Sequence, residues 1–320
     1  MLQRVVVGIV AIFLGNMAQA FPDRPIQIIV PYSAGGIADL MARTIADRLS
    51  QELKTVVTVV NKGGANGVVG ARSVARARPD GYTILFTPNT PLSINPLTQK
   101  NLPYDPENDL EILSIVADSP IVIVTRKNLG VKNLKEMATR AATNNGGLNY
   151  SAVSIAGVLT LPMYKIQNEL GFDMTPIPYQ GAADAMNAVI AGDVDVGINA
   201  LGSALPFITS GKVIPIAVGT EARIKEIPGV ETIEEAVPGF KSSIWYSLSV
   251  PSGMDSDRKQ ILADAFDRVK LSKELQAMYA ANYLLVPAKK SPMEMRDFLK
   301  RDIERWKKVI VDNNINVQQP

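Results

Sequence analysis

The chain has 320 residues, with 33 lysines and arginines against 31 aspartates and glutamates, and it contains neither cysteine nor histidine. Its net charge of +2 is spread without a basic block, which argues against a nucleic-acid partner. Without cysteine and histidine the chain has no disulfide, no Ser-His-Asp or Cys-His catalytic arrangement and no typical zinc site. Carboxylate chemistry stays open, and the length suggests two domains.

The first twenty residues have the features of a secretory signal peptide. Arg4 supplies a positive charge, and Val5–Leu14 is an apolar segment too short to span a bilayer, for which about 20 residues are needed. An Ala-x-Ala cleavage site precedes Phe21, so residues 1–20 are predicted to be removed. A retained N-terminal anchor is the alternative. Because no later segment is apolar enough to cross a membrane, the mature protein is expected to be exported to the periplasm in soluble form.

Predicted strands alternate with predicted helices from Phe21 onward. The strand candidates are Ile26–Val30, Val56–Val60, Thr83–Thr87, Ile121–Thr125, Val194–Asn199 and Ile214–Val218. The helix candidates include Ala38–Leu53, Val68–Ala77, Leu134–Asn144, Val158–Glu169, Ala182–Ala191, Asp257–Lys270 and Pro292–Asn313. This alternation predicts an α/β fold with a doubly wound, parallel-rich sheet in each domain. Ligands of such sheets bind beyond the carboxyl ends of the strands.

Two extended runs indicate how the chain divides. Ser119–Asn128 and Ser242–Pro251 are interpreted as the two crossings between domains. Residues 21–120 and 246–320 would then form domain 1, and residues 121–245 would form domain 2. The alternative is two domains in sequence, for which Leu102–Pro106 is a candidate linker.

The most informative stretch is Ile26–Leu49, which predicts a buried strand, a turn of small residues and an amphipathic helix. The turn is Ser33–Gly36. Such a turn leaves backbone N–H groups free at the helix start, where the helix dipole adds partial positive charge, so the site suits a carboxylate or phosphate. The alternative is an ordinary strand-to-helix turn in which Asp39 is a capping residue.

Three further loops place small residues before a predicted helix. Asn61–Gly70 is rich in glycine but has neither the P-loop ending nor the dinucleotide-binding spacing, so it is interpreted as a structural turn. Tyr150–Gly157 offers two serines, which could bond a ligand or cap a helix. In Val194–Ser203, Asn199 ends an apolar strand, where it could serve a ligand or the loop backbone.

The loops are spread over both halves of the chain, which fits an anion held in a cleft between two domains. Tyr32 and Tyr179 could line this cleft, or they could be aromatic residues at the edge of the core. No matched set of acid, base and nucleophile accompanies these loops.

The chain resembles the Bug family, the substrate-binding receptors of tripartite tricarboxylate transporters. The resemblance covers essentially the whole mature chain in one register and is carried by FPDRPIQIIVPYSAGGIADLMAR, NKGGANGVVGARSVARARPDGYTILF, LPYDPENDL, IPYQGAADAMNAVIAGDVDVGIN and LGSALPFITSGKVIPIAV. It implies a type II periplasmic-binding-protein fold, in which two α/β domains close over a small carboxylate in the cleft between them by a hinge motion.

Members of the family commonly hold a ligand carboxylate with the first loop, partly through ordered waters. The resemblance implies ligand-binding roles for Tyr32, Ser33, Ala34, Gly35, Gly36, Asp39, Ser151, Ala152, Ser154 and Asn199, and Asn89 and Tyr179 complete the candidate set. Asp39 would accept hydrogen bonds from bridging waters or cap the helix, since it cannot itself favour an anion. No catalytic residue, cofactor or metal is expected.

Two departures from the family pattern fall in the second domain. Where members often carry a Gly-Ser pair and then a histidine, this chain has Ala156, Gly157 and Thr160. Where many members have an Asp-Asn pair, it has Asn199 and Ala200. Because the acid would be a partner for a ligand ammonium group, its loss argues against an amino-acid ligand.

Three hypotheses follow for the function. The leading one is a monomeric periplasmic receptor that captures a small organic acid and delivers it to the membrane permease subunits of a tripartite transporter. A sensor that docks on a signalling receptor shares every sequence feature. A secreted enzyme with Asp39 or Asp184 as base would need an acid with a raised pKa in a dry pocket.

Overall fold

A computed structural model describes residues 21–143, 147–154, 156–179, 181–240 and 242–315, so the predicted signal peptide lies outside the described residues. The strands are β1 (Ile26–Val30), β2 (Val57–Asn61), β3 (Thr83–Pro88), β4 (Leu110–Arg126), β5 (Leu148–Ala152), β6 (Met174–Pro178), β7 (Val196–Ala200), β8 (Val213–Val218), β9 (Glu231–Thr232) and β10 (Ser243–Pro251). The helices are α1 (Ile37–Leu53), α2 (Val68–Ala75), α3 (Asn95–Thr98), α4 (Leu134–Thr143), α5 (Leu161–Leu170), α6 (Ala182–Ala191), α7 (Leu201–Thr209), α8 (Ile233–Ala236), α9 (Ser256–Val269), α10 (Lys273–Ala281) and α11 (Pro292–Asp312).

The first part of the sheet is parallel and covered on both faces. Strands run in the order β2-β1-β3, and β10 pairs antiparallel with β3. Ile26 and Ile28 of β1 share a core cluster with α1, and Ile29 shares a different cluster with α2. The two helices therefore cover opposite faces of β1, which is why this strand is apolar on both sides.

The long strand β4 joins the two halves of the fold. Its residues from Leu110 to Pro120 pair with β10, and its residues from Ile121 onward pair with β7 on one side and β8 on the other. Strands β5 and β6 continue the second part of the sheet in parallel with β7. Both parts are mixed rather than all parallel, because β10 and β4 run against their neighbours.

Helix α11 runs along both parts of the fold. Its first turn is fixed by a capping box between Ser291 and Glu294. Midway along it, Asp302 accepts a hydrogen bond of 3.0 Å from the Trp245 indole N–H on β10. Trp306 is fully buried, and the last turns pack against α5. The helix that the sequence prediction placed wholly in domain 1 thus also contacts the part of the chain that it assigned to domain 2.

None of the helices in the described part of the chain is both long enough and apolar enough to cross a bilayer. The same residues contain no cluster of three or more acidic side chains placed to hold a metal ion.

Candidate functional site

The carboxyl ends of the parallel strands face one another across a gap beside β4. Pro88 at the end of β3 pairs with Tyr246, which in turn pairs with Ala117 of β4. Ala200 at the end of β7 pairs with Ile121 of β4. The two facing edges are therefore four residues apart along β4, or about 13 Å at roughly 3.3 Å per residue. A gap of this size suits a small molecule held at the strand ends, the position expected for α/β sheets.

The first loop is organised by Asp39. Its Oδ2 accepts hydrogen bonds from the Gly35 N–H at 3.0 Å and from Arg43 Nε at 3.1 Å. Its Oδ1 accepts one from Asn61 Nδ2 at 3.0 Å and lies 2.9 Å from a terminal nitrogen of Arg43. Both carboxylate oxygens are thus occupied by protein donors. Asp39 stabilises the loop through these hydrogen bonds, and its place in the ligand site stays a prediction.

The environment of Asp39 favours its charged form. The Arg43 guanidinium, with the Gly35 N–H and the Asn61 amide, lowers the pKa of Asp39 to about 2 from its ordinary value of 3.8, although burial acts in the opposite direction. A general base needs a pKa near the working pH. Asp39 is therefore unsuited to the catalytic role that the enzyme hypothesis gave it, and Asp184 is exposed in the first turn of α6.

The exposed part of the loop consists of Ser33, Ala34, Gly35 and Gly36. Gly36 precedes α1 in an extended conformation, and no side chain caps this helix start. Its first N–H groups are therefore free of a side-chain partner and lie in the helix dipole field. This geometry suits an anion, and anion binding at this loop stays a prediction.

The second loop supports the first. The Asn61 amide donates to the Tyr32 carbonyl at 3.1 Å. A side-chain carbon on Gly70 would lie 2.6 Å from the Pro31 side chain, and one on Gly67 would lie 2.7 Å from Pro91. Glycine is thus required at both positions for the loops to approach. These contacts agree with the interpretation of Asn61–Gly70 as a structural turn.

The Tyr32 ring belongs to the interior of this loop pair. Its hydroxyl would lie 3.1 Å from a side-chain carbon on Gly67, and burial together with the neighbouring Tyr246 raises the pKa of Tyr32 above its ordinary value. The buried hydroxyl therefore favours the alternative that Tyr32 is an aromatic residue at the edge of the core.

Two buried polar residues lie at the carboxyl end of β3, the first of the two edges that face the gap. Asn89 is fully buried, and neither its amide nitrogen nor its amide oxygen has a hydrogen-bond partner in the structure. The hydroxyl of Thr87, two residues earlier on β3, is also buried without a partner. Buried polar groups normally find partners, so an unpaired group near a strand end indicates a position for a water or a ligand. Thr87 was missed by the sequence analysis.

The second edge brings together Ser151 and Asn199. A carbon added to Gly197 would lie 3.3 Å from the Ser151 Oγ and 3.5 Å from the Asn199 Nδ2. Both atoms are buried and have no partner. Two hydrogen-bonding groups of neighbouring strands therefore converge at the carboxyl end of this part of the sheet.

The remaining candidates of the second edge serve the backbone. The Tyr179 N–H donates to the Ala152 carbonyl at 2.8 Å, and its half-buried ring packs against the core cluster of α6 and α7. The Ser154 carbonyl accepts the hydroxyl of Thr160. Thr160 precedes α5 but does not cap it. For Tyr179 and Ser154 a ligand contact stays a prediction.

Helix capping differs between the ends of the sheet. Helices α1, α2, α5, α6 and α7 follow strands whose carboxyl ends meet at the gap, and none has a side-chain cap. Helices α9, α10 and α11 start elsewhere and are capped by Asp255, Ser272 and Ser291, while Asn133 accepts from the third residue of α4. The four-residue helix α8, after β9, is also capped. The starts of α1, α6 and α7 thus leave their first N–H groups for another partner, whereas the first N–H groups of α2 and α5 bond to carbonyls of the preceding loops.

Two mixed α/β domains with their strand ends facing across a gap define a periplasmic-binding-protein fold. The model of the tripartite tricarboxylate transporter family receptor matches residues 41–315, and the chain belongs to this family. The match begins just after the first loop, whose residues lie outside the matched range.

Similar proteins agree with this assignment. The chain is 30% identical over 295 residues to protein BugT of Bordetella pertussis, covering 92% of this chain and 90% of BugT. Its structure is similar to that of the periplasmic binding protein BugD, with a TM-score of 0.80, 29% identity, and coverage of 92% of this chain and 99% of BugD. The relatives are solute-binding receptors rather than enzymes.

Two similar structures contain a carboxylate ligand. R. palustris Rpa4515 with adipate has a TM-score of 0.83 and 26% identity, with 92% of this chain and 99% of that chain covered. MatC of Rhodopseudomonas palustris with bound malate has a TM-score of 0.80 and 26% identity, with 91% and 100% covered.

Proposed function

We propose that this protein is a periplasmic receptor that captures a small organic acid between its two domains and delivers it to the permease subunits of a tripartite tricarboxylate-type transporter. The observation that carries the proposal is the set of uncapped helix starts around the gap. At α1 the turn before the helix is exposed and bears no bulky side chain, so a carboxylate can reach the free N–H groups.

The opposite edge supports the proposal. Ser151 and Asn199 offer a hydroxyl and an amide N–H that are already buried and unpaired. A ligand oxygen that bonds these groups restores their lost hydrogen bonds at little further desolvation cost. The adipate and malate bound to related proteins are acids of the size that a gap of about 13 Å accommodates.

The domain limits proposed from the sequence are residues 21–120 with 246–320, and residues 121–245. The exchange of strand partners at Ile121 supports the first crossing, and the start of β10 at Ser243 supports the second. We propose that the domains rotate about these two crossings and enclose the ligand.

The binding test is a thermal-shift and calorimetry screen of the mature protein, verified to be ligand-free by mass spectrometry. Dicarboxylates such as malate and adipate, aromatic and aliphatic monocarboxylates, amino acids and sugars form the panel. A ligand at 100 times its Kd adds about 2.7 kcal/mol to the free energy of unfolding. A shift confined to one group of acids would support the receptor. No shift with any acid would contradict it.

The transport step needs its own experiment in cells. Deletion of the receptor gene should abolish uptake of the labelled acid. Expression of the full chain should restore uptake, whereas a variant that lacks residues 1–20 should not, because the predicted signal peptide is needed for export. Loss of a transcriptional response to the acid with unchanged uptake would instead favour the sensor hypothesis.

A further inference from the structure

Two glycines flank β4 where it changes partners. A side-chain carbon on Gly202, the second residue of α7, would lie 2.2 Å from the Asn282 carbonyl oxygen. One on Gly219, which follows β8, would lie 2.1 Å from the Ser242 carbonyl oxygen. Real side-chain carbons essentially never approach another atom below 3.0 Å. At both places, a backbone carbonyl from outside the second domain's sheet rests directly on a glycine beside the crossing.

The Asn282 carbonyl cannot easily move away from Gly202. The Asn282 N–H donates to the Met278 carbonyl at 3.1 Å, which fixes it to the end of α10. Three residues later, Leu285 exchanges two hydrogen bonds of 2.8 Å with Asp118 of β4. Hydrogen bonds before and after it along the chain therefore hold the Asn282 carbonyl in place.

The residue between these anchors reaches into the second domain. Tyr283 has a φ of 52°, a conformation that is uncommon for any residue other than glycine. Its half-buried ring packs on the core cluster that includes Leu201 and Leu205 of α7. The strained backbone and the docked ring both indicate that surrounding contacts determine the position of this segment.

The contact joins surfaces that face each other. Helix α7 begins at the carboxyl end of β7, the edge that faces the gap, and Asn282 lies in the part of the chain assigned to domain 1. The first turn of α7 already lies against the Asn282 carbonyl in this structure, so a further rotation that narrows the gap would press the two backbones together. Because both partners are backbone, no rotamer change can relieve a collision there.

We propose that Gly202 is a positioning residue for domain closure: its missing side chain lets α7 close onto the Asn282 carbonyl and so sets how far the two domains enclose the ligand. The inference rests on the proposed receptor function. A methyl group at this position stops closure early, lowers the population of the binding-competent form, and weakens ligand affinity in proportion.

The test is Gly202→Ala, with Gly229→Ala as the matched control, because no atom lies within 4 Å of a side-chain carbon on Gly229. Alanine is the better helix former, so α7 itself is not weakened. We expect the affinity for the acid that stabilises the wild type to fall tenfold or more, through faster dissociation. The control should bind like the wild type.

A second readout needs no ligand. The chain contains no cysteine, so Asp47→Cys and Asn187→Cys place one spin label on an exposed position of α1 and one on α6 without background. In Gly202→Ala the distance distribution between the labels should shift to longer values than in the Gly229→Ala protein. An affinity and a distance distribution equal to those of the control would overturn the proposal.

Two outcomes are kept separate by this design. If the wild type binds no acid, the receptor function fails, and the label distances still test the closure limit. If Gly202→Ala does not fold, Tyr283→Ala tests the same contact without adding an atom. Loss of the ring should loosen the segment and broaden the label distances in the unliganded protein. An unchanged distribution in Tyr283→Ala would overturn the proposal.

Discussion

Replacement of Asp39 by asparagine tests how the first loop is built. The side chain is 7% exposed and accepts from Gly35, Asn61 and Arg43 through both oxygens. Asparagine keeps the size but loses the charge and one acceptor, so one of these donors is left without its bond. Hydrogen bonds to charged groups are worth about 1.5–3 kcal/mol. We expect the free energy of unfolding of Asp39→Asn at pH 7 to fall by about 2 kcal/mol.

The pH dependence gives an independent value for the same effect. The pKa of Asp39 falls from 3.8 to about 2 on folding, and each unit corresponds to about 1.4 kcal/mol. The ionised carboxylate thus stabilises the fold above its unfolded pKa by about 2 kcal/mol. This stabilisation is lost as the pH falls from the unfolded pKa through the folded pKa, because over that range the unfolded chain binds more protons than the folded one.

The assay is urea unfolding of wild type and Asp39→Asn between pH 2 and pH 8. The difference between the two proteins should be constant from pH 6 to pH 8 and should shrink steadily below pH 4. Asp47→Asn, an exposed change on the same helix, is the control and should show no such loss. Equal stability at pH 7, or a difference that does not change with pH, would refute the loop network as described.

Three further changes test ligand binding or stability. Gly36→Val should change the melting temperature by no more than a few degrees, because Gly36 has an extended backbone and open space around it. The valine side chain should cover the start of α1 and so abolish ligand binding. Normal binding by calorimetry would show that the carboxylate does not bind at this loop. Ser151→Ala removes a buried hydroxyl that has no hydrogen-bond partner, so the ligand-free variant should be as stable as the wild type or up to about 1 kcal/mol more stable. Its affinity for the ligand should fall about tenfold. A loss of stability without a loss of affinity would show that the serine has a structural role. Tyr104→Phe removes the 2.7 Å hydrogen bond from the Tyr104 hydroxyl to the Pro91 carbonyl. The free energy of unfolding in urea should fall by about 1–2 kcal/mol. An unchanged midpoint would show that a water replaces the lost hydroxyl.

Elements with a clear apolar period could be predicted almost to the residue. The prediction Ala182–Ala191 is α6, and Pro292–Asn313 exceeds α11 by one residue. Strands β5 and β6 were missed because their sequences, LNYSA and MTPIP, mix polar residues and proline with few β-branched ones. Their pairing with one another and with β7 determines their conformation, and no local signal reports it.

Helix α7 shows the same limit. Its sequence LGSALPFIT contains a glycine and a proline, both unfavourable in helices. Packing of Leu201 and Ala204 in the core overrides this local preference. The helix could not be predicted from propensity, and neither could the close approach of Asn282 to Gly202, which depends on residues 80 positions apart in the sequence.

The candidate site could likewise be predicted only in part from the sequence. The small-residue loops could be located because glycine-rich turns before helices have a sequence signature. The partners of Asp39 were missed, although Arg43 lies one helical turn away at a spacing known for ion pairs. Asn61 is 22 residues from Asp39 and meets it only through the pairing of β1 with β2. The location of the Tyr32 hydroxyl likewise depends on the packing of two loops.

The distribution of helix caps has a consequence for engineering this protein. Serine or aspartate at position 36 or 200 would supply the caps that α1 and α7 lack, a change that commonly adds about 1 kcal/mol of stability. Such a side chain would occupy the same N–H groups as a dissolved carboxylate, at the high effective concentration of a tethered group. At the proposed ligand site, each stabilising cap would therefore act as a built-in competitive inhibitor. Caps at the other end of the sheet carry no such conflict, so thermostability is better sought there.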